Sequence, residues 1–147
     1  MLQLQISPNE KDWITFVTKC QDPAELQKIL DFVNTPDPER VLTQFETQVL
    51  FQIAKNAKAS SKTLLDLSRR ITYEKYSYLL QDIPTAYNII HEAITSFHYD
   101  LLLHPKITSE ILIEIYLNTN NPQIKKHVLQ SCALDPLHRE LIELGLV

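Results

Sequence analysis

The stretch Thr47–Arg70, TQVLFQIAKNAKASSKTLLDLSRR, lies over Thr95–Asn118, TSFHYDLLLHPKITSEILIEIYLN, at an offset of 48 residues. Thr47/Thr95, Lys58/Lys106, Ser61/Ser109 and Leu64/Leu112 are identical, four of 24 positions. The pattern is kept better than the letters. In both halves an apolar helical stripe leads into a short loop, a Ser or Thr able to cap, and a second stripe. Further on, Leu79-Leu80-Gln81 lies near Val128-Leu129-Gln130, and Ile83-Pro84 near Asp135-Pro136. Any two helical hairpins share this much, so the register alone does not separate repetition from coincidence. A hairpin that recurs would be a unit unable to bury its apolar face alone.

Outward from that stretch, the chain is punctuated by helix starts. Ser7-Pro8, Asp22-Pro23, Asp37-Pro38, Asn121-Pro122 and Asp135-Pro136 each place a capping residue before proline. The cap oxygen can take a backbone N–H of the first turn, and proline loses nothing where its missing donor would be unpaired. Glu10 and Glu25 fall three residues after Ser7 and Asp22, as in a capping box, and Glu39 suits the positive end of a helix. Prolines 8, 23 and 38 are spaced by 15, the length of a short helix plus a turn.

The apolar residues between these starts return at a helical period. Trp13, Phe16, Val17 and Cys20 form one stripe, and Leu26, Ile29, Leu30 and Val33 the next. Val41, Leu42, Phe45, Val49, Ile53 and Ala54 follow, then Leu64, Leu65 and Leu67 behind Ser60 or Ser61. Pro84 opens the longest, from Ala86 through Ile94 and Phe97 to Leu101. Ile124, Val128 and Cys132, then Leu137, Leu141 and Leu144, close the chain, with Gly145 placed for a left-handed C-cap. Tyr76, Leu79 and Leu80 suggest a weaker helix over 72–82. Ile111–Leu117 is rich in β-branched residues and could be a buried strand. However, Glu110, Glu114 and Asn118 make a polar stripe at four-residue spacing, and Thr108 can cap, so a helix is expected. Residues 1–6 alternate and are read as a tail or a short edge strand.

Short capped helices in pairs resemble the α-solenoid repeat proteins, in their HEAT-like and variant leucine-rich-repeat-like forms. His104-Pro105-Lys106-Ile107-Thr108-Ser109-Glu110-Ile111-Leu112, followed by Asn121-Pro122-Gln123-Ile124-Lys125-Lys126-His127-Val128, looks like the two helices of one such unit. The resemblance covers residues 37–147. It implies an all-α fold, a right-handed stack of antiparallel helical hairpins with seven to nine short helices, and a concave face that binds another macromolecule. Some members carry a cysteine cluster for iron–sulfur. This chain lacks one, so no cofactor is carried over.

Composition bounds the rest. The 147 residues fit one domain, 44% are hydrophobic, and there is a single glycine. That glycine count rules out Gly-rich phosphate loops and GxSxG elbows. Cys20 and Cys132 are 112 positions apart with no CxxC. Each ends an apolar run, so both are expected to be small buried side chains in a reducing, cytoplasmic setting. The N-terminus lacks the basic start and apolar stretch of a signal peptide, and no run approaches the roughly 20 residues of a membrane span.

No catalytic or metal constellation is expected. His91 and His98 share a helix face, but seven positions give about 10 Å of rise, too far to hold one ion directly. The net charge of −4 is uneven. Residues 51–80 carry six cations against Asp66 and Glu74, net +4, between flanks of −4 each. Lys55, Lys58, Lys62, Arg69, Arg70, Tyr73, Lys75 and Tyr78 are therefore the candidate partner-binding residues. Cations at a helix C-terminus also suit its dipole, which is the structural reason for Arg69 and Arg70. The functional expectation is a non-catalytic adaptor or scaffold that binds a protein. The alternative is nucleic-acid binding through the basic centre, which the acidic total makes less favoured.

Overall fold

Eight helices and no strand form among the described residues of the computed structural model, which are 10–35, 42–72 and 86–146. In chain order they are α1 (Glu10–Lys19), α2 (Pro23–Val33), α3 (Gln44–Lys55), α4 (Ser61–Arg70), α5 (Ala86–Leu102), α6 (Ser109–Asn118), α7 (Pro122–Gln130) and α8 (Pro136–Glu143). The caps expected at Ser7-Pro8 and Asp37-Pro38 lie outside these residues, as do the opening at Pro84 and the alternation over 2–6. So does the weak helix over 72–82, beyond its first residue.

The helix starts use local chemistry, not always as expected. Asp22 accepts from the Ala24 N–H at 3.0 Å, and Glu25 pairs with Lys28 at 3.5 Å instead of closing a capping box. The full box is at Thr43, where Glu46 N–H donates to the Thr43 hydroxyl and the Glu46 carboxylate accepts from the Thr43 N–H. Ser60, Thr108 and Asn121 cap α4, α6 and α7. Asp135 opens α8 without a side-chain cap bond. At the far end Gly145 adopts φ +71°, Gly145 N–H reaches Ile142 O and Leu146 N–H reaches Leu141 O. This is a Schellman closure, and its left-handed residue is the chain's one glycine.

Burial follows the helical period closely in the middle of the chain. Leu26, Ile29, Leu30 and Val33 are all buried, as are Ile111, Leu112 and Ile115 on α6. The stretch that could have been a strand is thus a helix packed on more than one side. The end helices differ from the stripes read off the sequence. Phe16, Leu137 and Leu144 are exposed, and Ile142 is the buried residue of α8. Among the described residues the outermost helices have neighbours on one side only, so a stripe as wide as α6's is not covered there.

Packing runs by alternate helices. α1 packs on α3, α3 on α5 and α5 on α7, while α2 packs on α4 and α4 on α6. Phe51 meets Phe97 at a ring distance of 5.6 Å between α3 and α5. Tyr99 meets His127 edge-on at 5.5 Å between α5 and α7. In the other row, Gln27 receives the Thr63 hydroxyl at 2.6 Å and donates to Asp66 at 3.1 Å. One contiguous apolar core runs from Val17 to Ile142.

Three connections share one five-residue geometry: Asn56–Ser60, His104–Thr108 and Ser131–Asp135. In each, the first residue's N–H donates to the carbonyl three back (Ile53, Leu101, Val128), and its own carbonyl accepts from the fourth residue (Ala59, Ile107, Leu134). Its side chain accepts from the N–H of the third. Lys58 N–H meets Asn56 Oδ1 at 2.8 Å, Lys106 N–H meets His104 Nδ1 at 3.0 Å, and Ala133 N–H meets Ser131 Oγ at 3.2 Å. The fifth residue is the N-cap position of the next helix. Three chemically different side chains thus do one job, satisfying a turn N–H that a helix has left behind.

Candidate partner-binding surface

These corners are bonded side by side. The Asn56 amide donates to Val17 O at 2.8 Å and to Cys20 O at 2.9 Å, at the end of α1. Because His104 Nδ1 accepts from a backbone N–H, its proton sits on Nε2, which donates to Asn56 O at 2.7 Å. Ser61 Oγ donates to Lys106 O at 2.8 Å, and Asp135 N–H donates to Ser109 Oγ, also at 2.8 Å. The result is an edge along which residues near 20, 56, 104 and 131 succeed one another.

The expected basic residues divide between this edge and the opposite end of α4. Lys55 ends α3 and Lys58 sits in the first of the three corners, both exposed. Lys62 lies in the first turn of α4 and pairs with Asp66 at 2.8 Å. Arg69 is at the other end of the helix and pairs with Glu114 at 3.0 Å. Arg70 is only 4% exposed and its Nε donates to Asn34 Oδ1 at 2.7 Å, tying α4 to the end of α2. Tyr73, Lys75 and Tyr78 lie outside the described residues. Glu114, from the polar stripe of α6, is the half-buried acceptor of Arg69.

The positions of the two arginines carry a prediction. Arg69→Ala changes stability by less than about 1 kcal/mol, as for other exposed ion pairs. Arg70→Ala costs about 2 kcal/mol, because it empties a packed site and strips Asn34 of its donor. Urea unfolding of the two variants checks this, and equal losses would contradict it.

Two lysines that the sequence reading left out join the edge. Lys19 ends α1 as Lys55 ends α3, and Lys106 occupies the corner position that Lys58 occupies 48 residues earlier. Between the ends of α3 and α5 lies a cleft of about 280 Å³, lined by Ala54, Lys55, Ala57, Asp100, Leu103, His104 and Pro105. Burial pushes the Asp100 carboxyl above its usual range, and the Lys55 charge opposes that shift. Leu103 is 79% exposed at the rim.

The histidines do not converge. His91 lines a small polar recess with Thr95 and Asn118–Asn121. His98 is buried against Phe97, with a ring distance of 5.8 Å, and its Nδ1 has no hydrogen-bond partner among the described residues. Burial lowers its pKa from 6.5 to about 4. Above pH 6.5 the ring is neutral in folded and unfolded chains alike, so it adds no pH dependence there. As pH falls from about 6.5 to about 4, the unfolded chain takes a proton that the folded chain refuses, and stability drops by about 3 kcal/mol. His98→Leu removes this slope from a plot of unfolding free energy against pH. An unchanged slope would contradict the assignment.

Cys20 is half-buried with its Sγ beside Asp22 O, and Cys132 is exposed in the last corner, so only part of the expected thiol burial is found. Cys132 holds the second place of its corner, which is exposed at Ala57 and Pro105 in the other two as well. Among the described residues, no group of three His, Cys, Asp or Glu side chains could hold a metal ion, and no helix is long and apolar enough to cross a membrane. No protein-family model, curated protein or solved structure matches this chain.

Proposed function

We propose that the chain is a right-handed, α-solenoid-like stack of helical hairpins that serves as a non-catalytic adaptor, binding a partner protein. The observation that carries this reading is the packing of each helix from α1 to α5 on the helix two further along, in both rows. Such an arrangement adds hairpins in one direction and leaves long outer surfaces uncovered, which is how stacked helical units come to bind macromolecules. The three equivalent corners support the same reading, since each joins two successive helices through the same hydrogen bonds. So does the 48-residue register, with α4 and α6 beginning and ending 48 positions apart. The nucleic-acid alternative draws less support, because Arg70 is buried and Lys62 and Arg69 are paired with carboxylates.

Photo-crosslinking tests the proposal. A benzophenone side chain is placed in turn at Lys58 on the corner edge, at Leu117 on α6 and at Lys126 on α7, all exposed positions. The expected result is a protein adduct in cells from one surface and not from the others. Adducts to nucleic acid alone, or no adduct from any surface, would overturn it.

A further inference from the structure

The corner edge carries four lysines, Lys19, Lys55, Lys58 and Lys106, all exposed and none with an ion-pair partner among the described residues. The carboxylates along it are differently placed. Asp22 is committed to capping Ala24, Asp100 is half-buried in the cleft beside Lys55, and Asp135 opens the last helix. Lys58 and Lys106 hold the same place in neighbouring corners, which the His104–Asn56 and Ser61–Lys106 bonds set side by side. Their backbones are therefore about one helix step apart, roughly 8–10 Å. In a polyproline-II-like chain, residues three apart return to one face after about 9 Å. The cleft between the ends of α3 and α5 offers Ala54, Ala57, Leu103 and Pro105 beside these cations. Its volume is below that of most small-molecule sites and suits a side chain better than a cofactor. Its lining holds no Phe, Tyr or Trp, and the His104 ring is buried and held through both nitrogens in the corner, so the cleft offers a base no exposed platform for stacking.

We infer that this edge binds an extended acidic segment of a partner protein, with carboxylates three residues apart on Lys58 and Lys106 and an apolar side chain in the cleft at Leu103. The inference rests on the protein-binding reading above and names the surface and the partner chemistry for it.

The probe is a fluorescein-labelled peptide of five Glu-Leu-Pro repeats, with Gln-Leu-Pro repeats and a single-stranded oligonucleotide for comparison. Anisotropy is read on the full chain at low salt. The acidic peptide is expected to bind, to weaken with rising salt, and to lose at least tenfold in affinity when Lys58→Glu and Lys106→Glu are combined. The Gln peptide is expected to bind no better than that variant does. Lys58→Gln with Lys106→Gln should give an intermediate loss, and an unchanged melting temperature shows that the variants fold. No binding of the acidic peptide, equal binding of the Gln peptide, indifference to the lysine variants, or preference for the oligonucleotide overturns the inference. A displayed random-peptide library separates the two levels of failure. Enriched peptides that lack acidic residues and ignore the lysine variants sink this surface but leave protein binding standing, whereas no enrichment at all counts against both.

Discussion

Phe97→Ala lowers the free energy of unfolding by about 3–5 kcal/mol, measured by urea denaturation. Phe97 is 2% exposed on α5 and its ring lies 5.6 Å from that of Phe51 on α3. Truncation removes the transfer energy of the ring and opens a cavity between two helices of one row, where neither backbone can close inward without moving its own neighbours. A loss of that size is about a fifth or more of the roughly 5–15 kcal/mol typical of a domain. Phe97→Leu, which keeps most of the volume, costs much less. A loss under about 1 kcal/mol for the alanine variant would mean that α3 and α5 are not packed through this pair.

Asn56→Asp is the second large effect, about 3 kcal/mol or more. The substitution keeps the shape and the acceptor for Lys58 N–H. It replaces the amide that donates to Val17 O and Cys20 O with a carboxylate oxygen facing two carbonyl oxygens in a buried corner. Asn56→Ala leaves the same carbonyls unmet but buries no charge, and costs about 1–3 kcal/mol. The matching corner gives the converse. His104→Asn retains an acceptor for Lys106 N–H and a donor toward Asn56 O, so it costs less than His104→Leu, which retains neither. Equal losses from the two His104 variants would show that the corners are not interchangeable in the way their hydrogen bonds imply.

Much of this was legible in the sequence because it rests on short-range rules. The stripe Leu26, Ile29, Leu30 and Val33 repeats at the helix period, and all four side chains are buried. The caps at Ser60, Thr108 and Asn121 follow from what a first turn leaves unpaired. The Thr43–Glu46 box is equally present as Thr-x-x-Glu, but the apolar stripe begins ahead of it at Val41 and Leu42, so periodicity alone does not mark Thr43 as the helix start. Long-range facts were not legible. Six cations within 51–80 look like a cluster along the chain, yet a ten-residue helix places Lys62 and Arg69 about 10 Å apart along its axis, at opposite ends of α4. Arg70 is hidden by a contact with Asn34, 36 positions away. Asn56 and His104 align at the 48-residue offset but differ in type, so letter matching passes over the bond pattern they share. Lys19 and Lys106 join Lys55 and Lys58 only once the corners are stacked.

The central claim is that the hairpins succeed one another in a line and do not close into a bundle. A spin-label distance from the end of α1 to the last corner tests it most directly. The labels sit at Lys19→Cys, in a chain with Cys20→Ala, and at the native Cys132, both exposed positions. Three interaxial steps separate α1 from α7, so a narrow distribution centred at about 24–30 Å is expected. A distance below about 15 Å, as when α7 folds back against α1, would contradict it.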